Sequence, residues 1–190
     1  MDEKKTDRRS LKTQRILKEA LAEMLTEKEL RKITVQEVSD KADVHRVTFY
    51  KHFYDIYDLY EQLEKDVLSE LGLLILKFHD DTSKNFGQEL VDYIEKNPKI
   101  FRMIFSPHNT SQIKSKFANM LEGVFRLIQT ERNPIALKDI RLDYYSAFWS
   151  SGFIAVIEKW TRNNFAQSKD FILDTISGLD KNMEKLIASQ

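Results

Sequence analysis

The chain has 190 residues, of which 30 are Lys or Arg and 30 are Asp or Glu, so its formal charge at neutral pH is zero. It has no cysteine, which excludes disulfides, thiolate metal centres and a cysteine nucleophile. No stretch approaches the ~18 uncharged apolar residues of a membrane span, and the opening MDEKKTDRRS lacks the apolar run of a signal peptide, so the expected location is cytoplasmic.

The zero total hides an asymmetry. Positions 1–54 carry 13 Lys and Arg against 10 Asp and Glu, a surplus of +3 that the remaining positions cancel. A basic N-terminal module on an acidic body suits a polyanionic partner. Only five glycines and three prolines occur, and apolar residues recur at three- and four-residue spacing, which predicts an all-α protein. No internal repeat or low-complexity segment is present.

The first predicted helix covers about 8–27, with Leu17, Ala20, Leu21, Met24 and Leu25 on one stripe. A short second helix follows Thr34, whose hydroxyl caps the free N–H groups while Glu37 completes a capping box. Its sequence VQEVSDKA is expected to bury Val35, Val38 and Ala42. Asp43 suits the break that follows, because Asp tolerates a left-handed backbone. HRVTFYKHF then forms a third helix, and the pair makes a helix-turn-helix.

Asp55 caps a long fourth helix, with Asp58 in its first turn and apolar positions Ile56, Leu59, Leu63, Val67, Leu71 and Leu74 reaching about Phe78. DDTSKN at 80–85 is read as a loop. Further helices are predicted at 86–97, at 98–105 from Pro98, at 112–130, at 137–163 and at 168–188, about nine in all, with SPHNTS and ERNP as breaks. HDD at 79–81 is read as a solvated acidic cap rather than a metal site, since three adjacent residues cannot easily face one ion.

The segment ADVHRVTFYKHF (42–53) puts three aromatics, two histidines and two strong bases into about three helical turns. That mixture suits a helix lying in a DNA major groove, where base edges offer hydrogen bonds and apolar contacts between phosphate walls. His45, Arg46, Thr48 and Lys51 would project outward, Val47 would reach a thymine methyl, and Phe49 and Phe53 would pack underneath. An ordinary amphipathic helix with a solvated basic side has the same spacing.

From Arg8 to Tyr60 the chain resembles the N-terminal DNA-binding domain of the TetR family of bacterial transcriptional regulators. The resemblance rests on ITVQEVSDKADVHRVTFYKHFYDIYDL, with its Ile-Thr-Val opening, Ala-x-Val turn, Thr-x-Tyr-x-His-Phe third helix and Asp-x-x-Asp-Leu entry to the fourth. It implies phosphate contacts from Thr34, Tyr50 and His52, a phosphate or base contact from Lys51, and a groove lined by His45, Arg46, Val47 and Thr48. His52 has a second reading, as packing between the third and fourth helices. Two positions depart from the family pattern. His45 stands where a small cap such as Ser or Asn is common, which leaves Asp43 as the alternative cap. Ile56 stands where a lysine is common, so a phosphate contact is missing there unless the Tyr54 or Tyr57 hydroxyl replaces it.

Beyond about residue 64 the likeness thins, although NPKIFRMIFS and SSGFIAVIEKWTRNNF resemble a branch of the family common in Gram-positive bacteria. The residues themselves predict an aromatic-rich helical bundle. Phe101, Phe105, His108, Met120, Phe125, Tyr145 and Trp149 are candidates for lining a pocket for a small hydrophobic or amphipathic ligand. Met103, Phe117, Tyr144, Phe148 and Phe153 add to the aromatic set, and Arg126 is a further polar candidate. Simple core filling explains the same aromatics. Phe148, Gly152, Ala155 and Val156 on one helix, with Ile176, Leu179 and Met183 on the last, form stripes for a homodimer interface, as the resemblance implies, or for an intrachain core.

No nucleophile elbow, phosphate loop, dinucleotide fingerprint or zinc-protease motif is present, and the four histidines are scattered. No enzyme, cofactor or metal is expected. The sequence therefore predicts a DNA-binding domain over 1–54 and a ligand-binding and dimerisation domain over 55–190. Such a protein binds double-stranded DNA at a near-palindromic operator as a homodimer, as a repressor released by a small ligand. The alternative is a DNA-anchored adaptor controlled by a protein partner.

Overall fold

A computed structural model describes the backbone at residues 3–80, 86–109, 112–132 and 140–188, and the side chains over a slightly narrower set. The helices are α1 (Glu3–Met24), α2 (Val35–Lys41), α3 (Arg46–Phe49), α4 (Ile56–Asp80), α5 (Phe86–Lys96), α6 (Pro98–Ile104), α7 (Ile113–Arg132), α8 (Arg141–Arg162) and α9 (Lys169–Ala188), with one 3-10 turn at Leu30–Lys32. No strand occurs among the described residues, so the fold is all-α as expected. Most of the 80–85 and ERNP breaks, part of SPHNTS, and the side chains of 79–81 and Met183 lie outside the described residues.

The chain forms two compact units. The first comprises residues 1–70 with 99–111, and the second 71–98 with 112–190. In the first, α1 supplies the predicted stripe of Leu17, Ala20, Leu21, Met24 and Leu25, all buried. α2 packs on α1, and α3 on α2. From α2 the core takes Val38 and Ser39, whereas Val35 and Ala42, expected inside, are only half-buried. With seven residues, α2 has room for one buried row, and its other sides meet solvent.

Phe49, Phe53, Ile56, Leu59 and Leu63 complete that core. In the second unit α7 pairs with α8, α5 with α9, and α8 with α9. Buried Leu121, Val124, Leu142, Phe153, Ile157, Trp160 and Ile176 hold these helices together. α4 is one unbroken helix of 25 residues, and the division between units falls within it, after Glu70.

Candidate nucleic-acid interface

The helix-turn-helix is assembled from local signals that the structure bears out one by one. The Thr34 side chain accepts from the Glu37 N–H, while the Glu37 carboxylate accepts from the Thr34 N–H at 2.9 Å, which is a complete capping box. Asp43 sits at φ 51°, so the left-handed residue falls where the sequence put it. The turn closes with Val44 N–H donating to the Ser39 carbonyl at 2.9 Å.

Asp43 does not cap α3. The cap is His45, whose Nδ1 accepts from the Val47 N–H at 3.3 Å. The alternative that Asp43 caps α3 is corrected: a left-handed residue three positions before the first helical residue is badly placed to reach its first turn. α3 has four helical residues, and i→i+3 and i→i+4 bonds continue the turn through His52 and Phe53.

Phe49 and Phe53 anchor α3 from below, with ring centroids 5.6 Å apart. A Lys18 ammonium 6.0 Å from the Phe53 ring centre adds a cation–π contact on α1. His45, Arg46, Val47, Tyr50 and Lys51 are exposed, and Thr48 is half-buried. Val47 is 58% exposed, which is unusual for a β-branched apolar residue in a position with so much core nearby.

Charge separates α3 from its surroundings. Several bases elsewhere in this unit are paired: Lys18 with Asp66, Lys28 with Glu37, Arg31 with Glu29, and Lys41 and Lys99 both with Glu23. Those two lysines hold the Glu23 carboxyl below its ordinary range, Lys99 contributing most. Among the described residues Arg46 and Lys51 form no ion pair. Nor do Arg8, Arg9 and Lys12, which are exposed on α1. These three were missed in the sequence, and the density of bases in the first dozen positions was the available signal. Ser10, between them, lies 3.5 Å from His52 Nδ1, so this end of α1 borders α3.

Two residues expected to contact phosphate have partners within the protein. Thr34 is exposed, but its hydroxyl is committed to Glu37 both as acceptor and as donor (2.9 Å), so no donor is left for a phosphate. The residue is a helix cap. His52 is half-buried, with its Nδ1 3.5 Å from the Ser10 hydroxyl of α1.

At the start of α4, Ile56 is 5% exposed and belongs to the core. Two carboxylates occupy that terminus: Asp58 N–H donates to Asp55 at 2.8 Å, and Tyr54 N–H donates to Asp58 at 2.7 Å. The Asp58 carboxyl is held below its ordinary range by the Gln62 amide first and the Tyr54 N–H second. A phosphate approaching here meets negative charge, so the α4 terminus does not make up for the absent lysine. Tyr54, 85% exposed, precedes α4, and Tyr57, 55% exposed, lies in its first turn.

The pocket candidates fall in both units. Phe101, Phe105 and His108 belong to the first, where Phe101 and Phe105 are buried with centroids 6.4 Å apart and His108 is half-buried. Met120, Phe125, Tyr145 and Trp149 belong to the second. There Trp149 lies against Phe125 at 5.2 Å and Phe153 at 5.5 Å, and its indole N–H donates to the Asp180 carboxylate at 2.6 Å. Met120 and Tyr145 are half-buried. Tyr144 leaves the lining set, being 74% exposed, and Arg126 is held by Asp143 on the outside of the α7–α8 pair.

Of the interface candidates, Phe148 (70% exposed), Gly152, Ala155 and Leu179 are exposed and Val156 is half-buried. A Cβ built on Gly152 would meet nothing within 4 Å. Ile176 is corrected: it is buried with Ile172 in the unit's own core, one helical turn inside the exposed row.

The family described as Transcriptional regulator C-terminal region, of the TetR type, matches residues 81–182, more than half of the chain. No curated protein matches at a significant level. A TetR transcriptional regulator from Streptococcus agalactiae superposes with a TM-score of 0.60 at 22% identity, over 92% of this chain and 96% of that one. The dihydroxyacetone kinase operon activator DhaS gives 0.62 at 16% identity, over 92% and 97%. NalD of Pseudomonas aeruginosa, the secondary repressor of a multidrug efflux pump, gives 0.57 at 15% identity, over 88% and 96%. These likenesses extend the shared fold over nearly the whole chain. The chain belongs to the TetR family of transcriptional regulators, which are DNA-binding proteins and not enzymes.

Proposed function

We propose that the protein is a homodimeric repressor that lays α3 in the major groove of a near-palindromic operator and is released by a small hydrophobic or amphipathic ligand. The observation that carries this reading is the outward face of α3. Arg46 and Lys51 are exposed and unneutralised, on a helix fixed from beneath by two buried phenylalanines. Arg46 suits a base edge or phosphate, Lys51 a phosphate, Val47 a thymine methyl, and Tyr50 a phosphate through its phenol. Arg8, Arg9 and Lys12 would extend the phosphate contacts along α1. The domain over 1–54 would thus hold the DNA, and 55–190 would sense and dimerise, within the cytoplasm.

Dimerisation is supported by the exposed apolar row on α8 and α9, namely Tyr144, Phe148, Phe171 and Leu179 with Gly152 and Ala155 between. A two-fold axis would present two copies of α3 to successive turns of the duplex. The ligand would lie in the second unit by Phe125, Trp149 and Phe153, with Asp180 as the polar group. Binding there would act on α4, which is continuous from the first unit into the second, and ~1–3 kcal/mol of differential affinity suffices for a switch.

The test is selection from a random-sequence duplex pool combined with sedimentation. A dimer that enriches an inverted repeat with half-sites about one helical turn apart is expected. Enrichment of no sequence would remove the reading. The sign of regulation follows from transcription off a promoter carrying the enriched site. The second reading is control by a protein partner. It would be chosen if the purified protein retains another polypeptide and no small molecule releases the DNA.

A further inference from the structure

We infer that His45 reads a purine through N7, as a hydrogen-bond donor only. The inference rests on the major-groove reading above and adds to it the protonation state of one ring and the base chemistry that state selects.

A backbone N–H can only donate. Its bond to His45 Nδ1 therefore requires a bare lone pair on that nitrogen. A neutral imidazole has one ring proton, and with Nδ1 bare it must reside on Nε2. The two ring nitrogens face nearly opposite ways across the five-membered ring. With Nδ1 turned onto the first turn of α3, Nε2–H is directed away from it.

The residue is exposed, and among the described residues nothing else engages its ring. His45 is extended, at φ −64° and ψ 135°, and its carbonyl accepts from Thr48 N–H at 2.7 Å and from Phe49 N–H at 3.2 Å. The cap thus does two things: it closes the helix and fixes the tautomer of a residue at the groove-facing end.

A lone, in-plane donor makes a restrictive reader. In the major groove, cytosine offers the N4 amino donor and adenine the N6 amino donor, neither of which can pair with N–H. Guanine and adenine both offer N7, which needs a single donor and, unlike guanine O6 and thymine O4, is not already shared with the Watson–Crick partner. A side chain with an amide or a guanidinium can satisfy two atoms of one base, whereas this ring, with its second nitrogen occupied by the protein, satisfies one. His45 should therefore favour either purine through N7, tolerate thymine less well through O4, and reject cytosine at its position.

The test uses duplexes enriched from a random-sequence pool by the wild-type protein, with 7-deazaguanine or 7-deazaadenine placed one position at a time, and compares wild type with His45→Ser and His45→Ala. Serine keeps an oxygen that can cap the helix but has no long donor, so it separates readout from folding. At one position per half-site the deaza base should weaken wild-type binding roughly three- to tenfold, the range of one hydrogen bond. At that position the serine variant should show no further loss, and it should no longer discriminate purine from cytosine.

Serine binding like wild type with unchanged base preference would reduce His45 to a cap and overturn the inference. So would an equal loss in both variants with preference intact, which would mean a phosphate contact. If the wild type enriches no sequence at all, the groove reading falls and this inference falls with it. If it enriches a site at which no deaza position couples to residue 45, only this inference fails.

Discussion

Two surfaces of this protein break the usual rules for a protein exterior, in opposite ways. Around α3 the exception is electrostatic. Among the described residues Arg46 and Lys51 stand without counter-charges, as do Arg8, Arg9 and Lys12 on α1, in a unit where five other bases are each matched to a carboxylate. On α8 and α9 the exception is hydrophobic, since Tyr144, Phe148, Phe171 and Leu179 are all more than half exposed. The first surface lacks anions and the second lacks apolar cover. A polyanion meets the former need and a second apolar surface the latter, so one chain carries two kinds of incompleteness.

Breaking the support of the first surface should have the largest effect. Phe49 is fully buried beneath α3 and touches both Tyr50 and Phe53. Phe49→Ala should cost about 3–5 kcal/mol of stability, read as a lowered urea midpoint, and DNA binding should be lost with it. Phe148→Ala, on the second surface, should leave the urea midpoint at low protein concentration nearly unchanged, because an exposed ring contributes little to its own unit. If Phe148→Ala destabilises the isolated subunit as much as Phe49→Ala, the contrast between the two surfaces is wrong.

The second surface is broken by charge. Phe148→Glu would place a carboxylate in the middle of the apolar row and should weaken association by at least about 2 kcal/mol, the scale of an interface hot spot. Sedimentation would then show monomers at concentrations where wild type is dimeric. Dimers of unchanged strength would place the interface elsewhere.

Next come the bases of α3, whose effects should differ in kind. Arg46→Ala should cost about 1–3 kcal/mol and relax preference at one base position if it contacts a base edge. Lys51→Ala should weaken all sequences alike and lower the slope of log affinity against log salt by about one. Equal salt slopes in wild type and Lys51→Ala would take Lys51 out of the phosphate set.

These surfaces were unequally legible in the sequence. The first could be read almost entirely, because its determinants are local: the Thr34–Glu37 box, the left-handed Asp43 and the aromatic spacing of α3 each act over a few residues. What escaped there was longer in range. Pairing of Thr34's proton with Glu37, and of Ser10 with His52 across 42 positions, depends on rotamers and tertiary contacts that spacing does not encode. The His45 cap escaped for another reason, since histidine is uncommon in a role usually given to Ser, Asp or Asn.

The second surface was harder. Phe148 and Ile176 both fall on apolar stripes of helical spacing, yet one is exposed and the other buried. Periodicity assigns a residue to an apolar stripe. It does not say whether the same chain or another one covers that stripe. The pocket set met the same limit, because aromatic content alone grouped residues that the fold divides between two units.

The smallest expected effect concerns a base that is neutralised, and it tests the contrast from the other side. Glu37 has its carboxyl lowered from 4.5 to about 2, by the Lys28 ammonium first and then by the N–H and hydroxyl of Thr34. Its folded value lies below its unfolded one, so the folded state favours the ionised form. This contribution is therefore fully present above the ordinary carboxylate range and fades as pH falls from about 4.5 toward 2. The group is exposed, so salt should shrink the effect. Glu37→Gln keeps a side-chain oxygen for the capping box but cannot titrate or neutralise Lys28. Urea unfolding of the variant from pH 6 down to the acid limit should accordingly show a shallower loss of stability than wild type, with the two curves converging at low pH. Parallel curves would mean that the Lys28–Glu37 pair does not persist in solution. Lys28 would then join Arg46 and Lys51 among the unneutralised bases, and the electrostatic distinction of α3 would weaken.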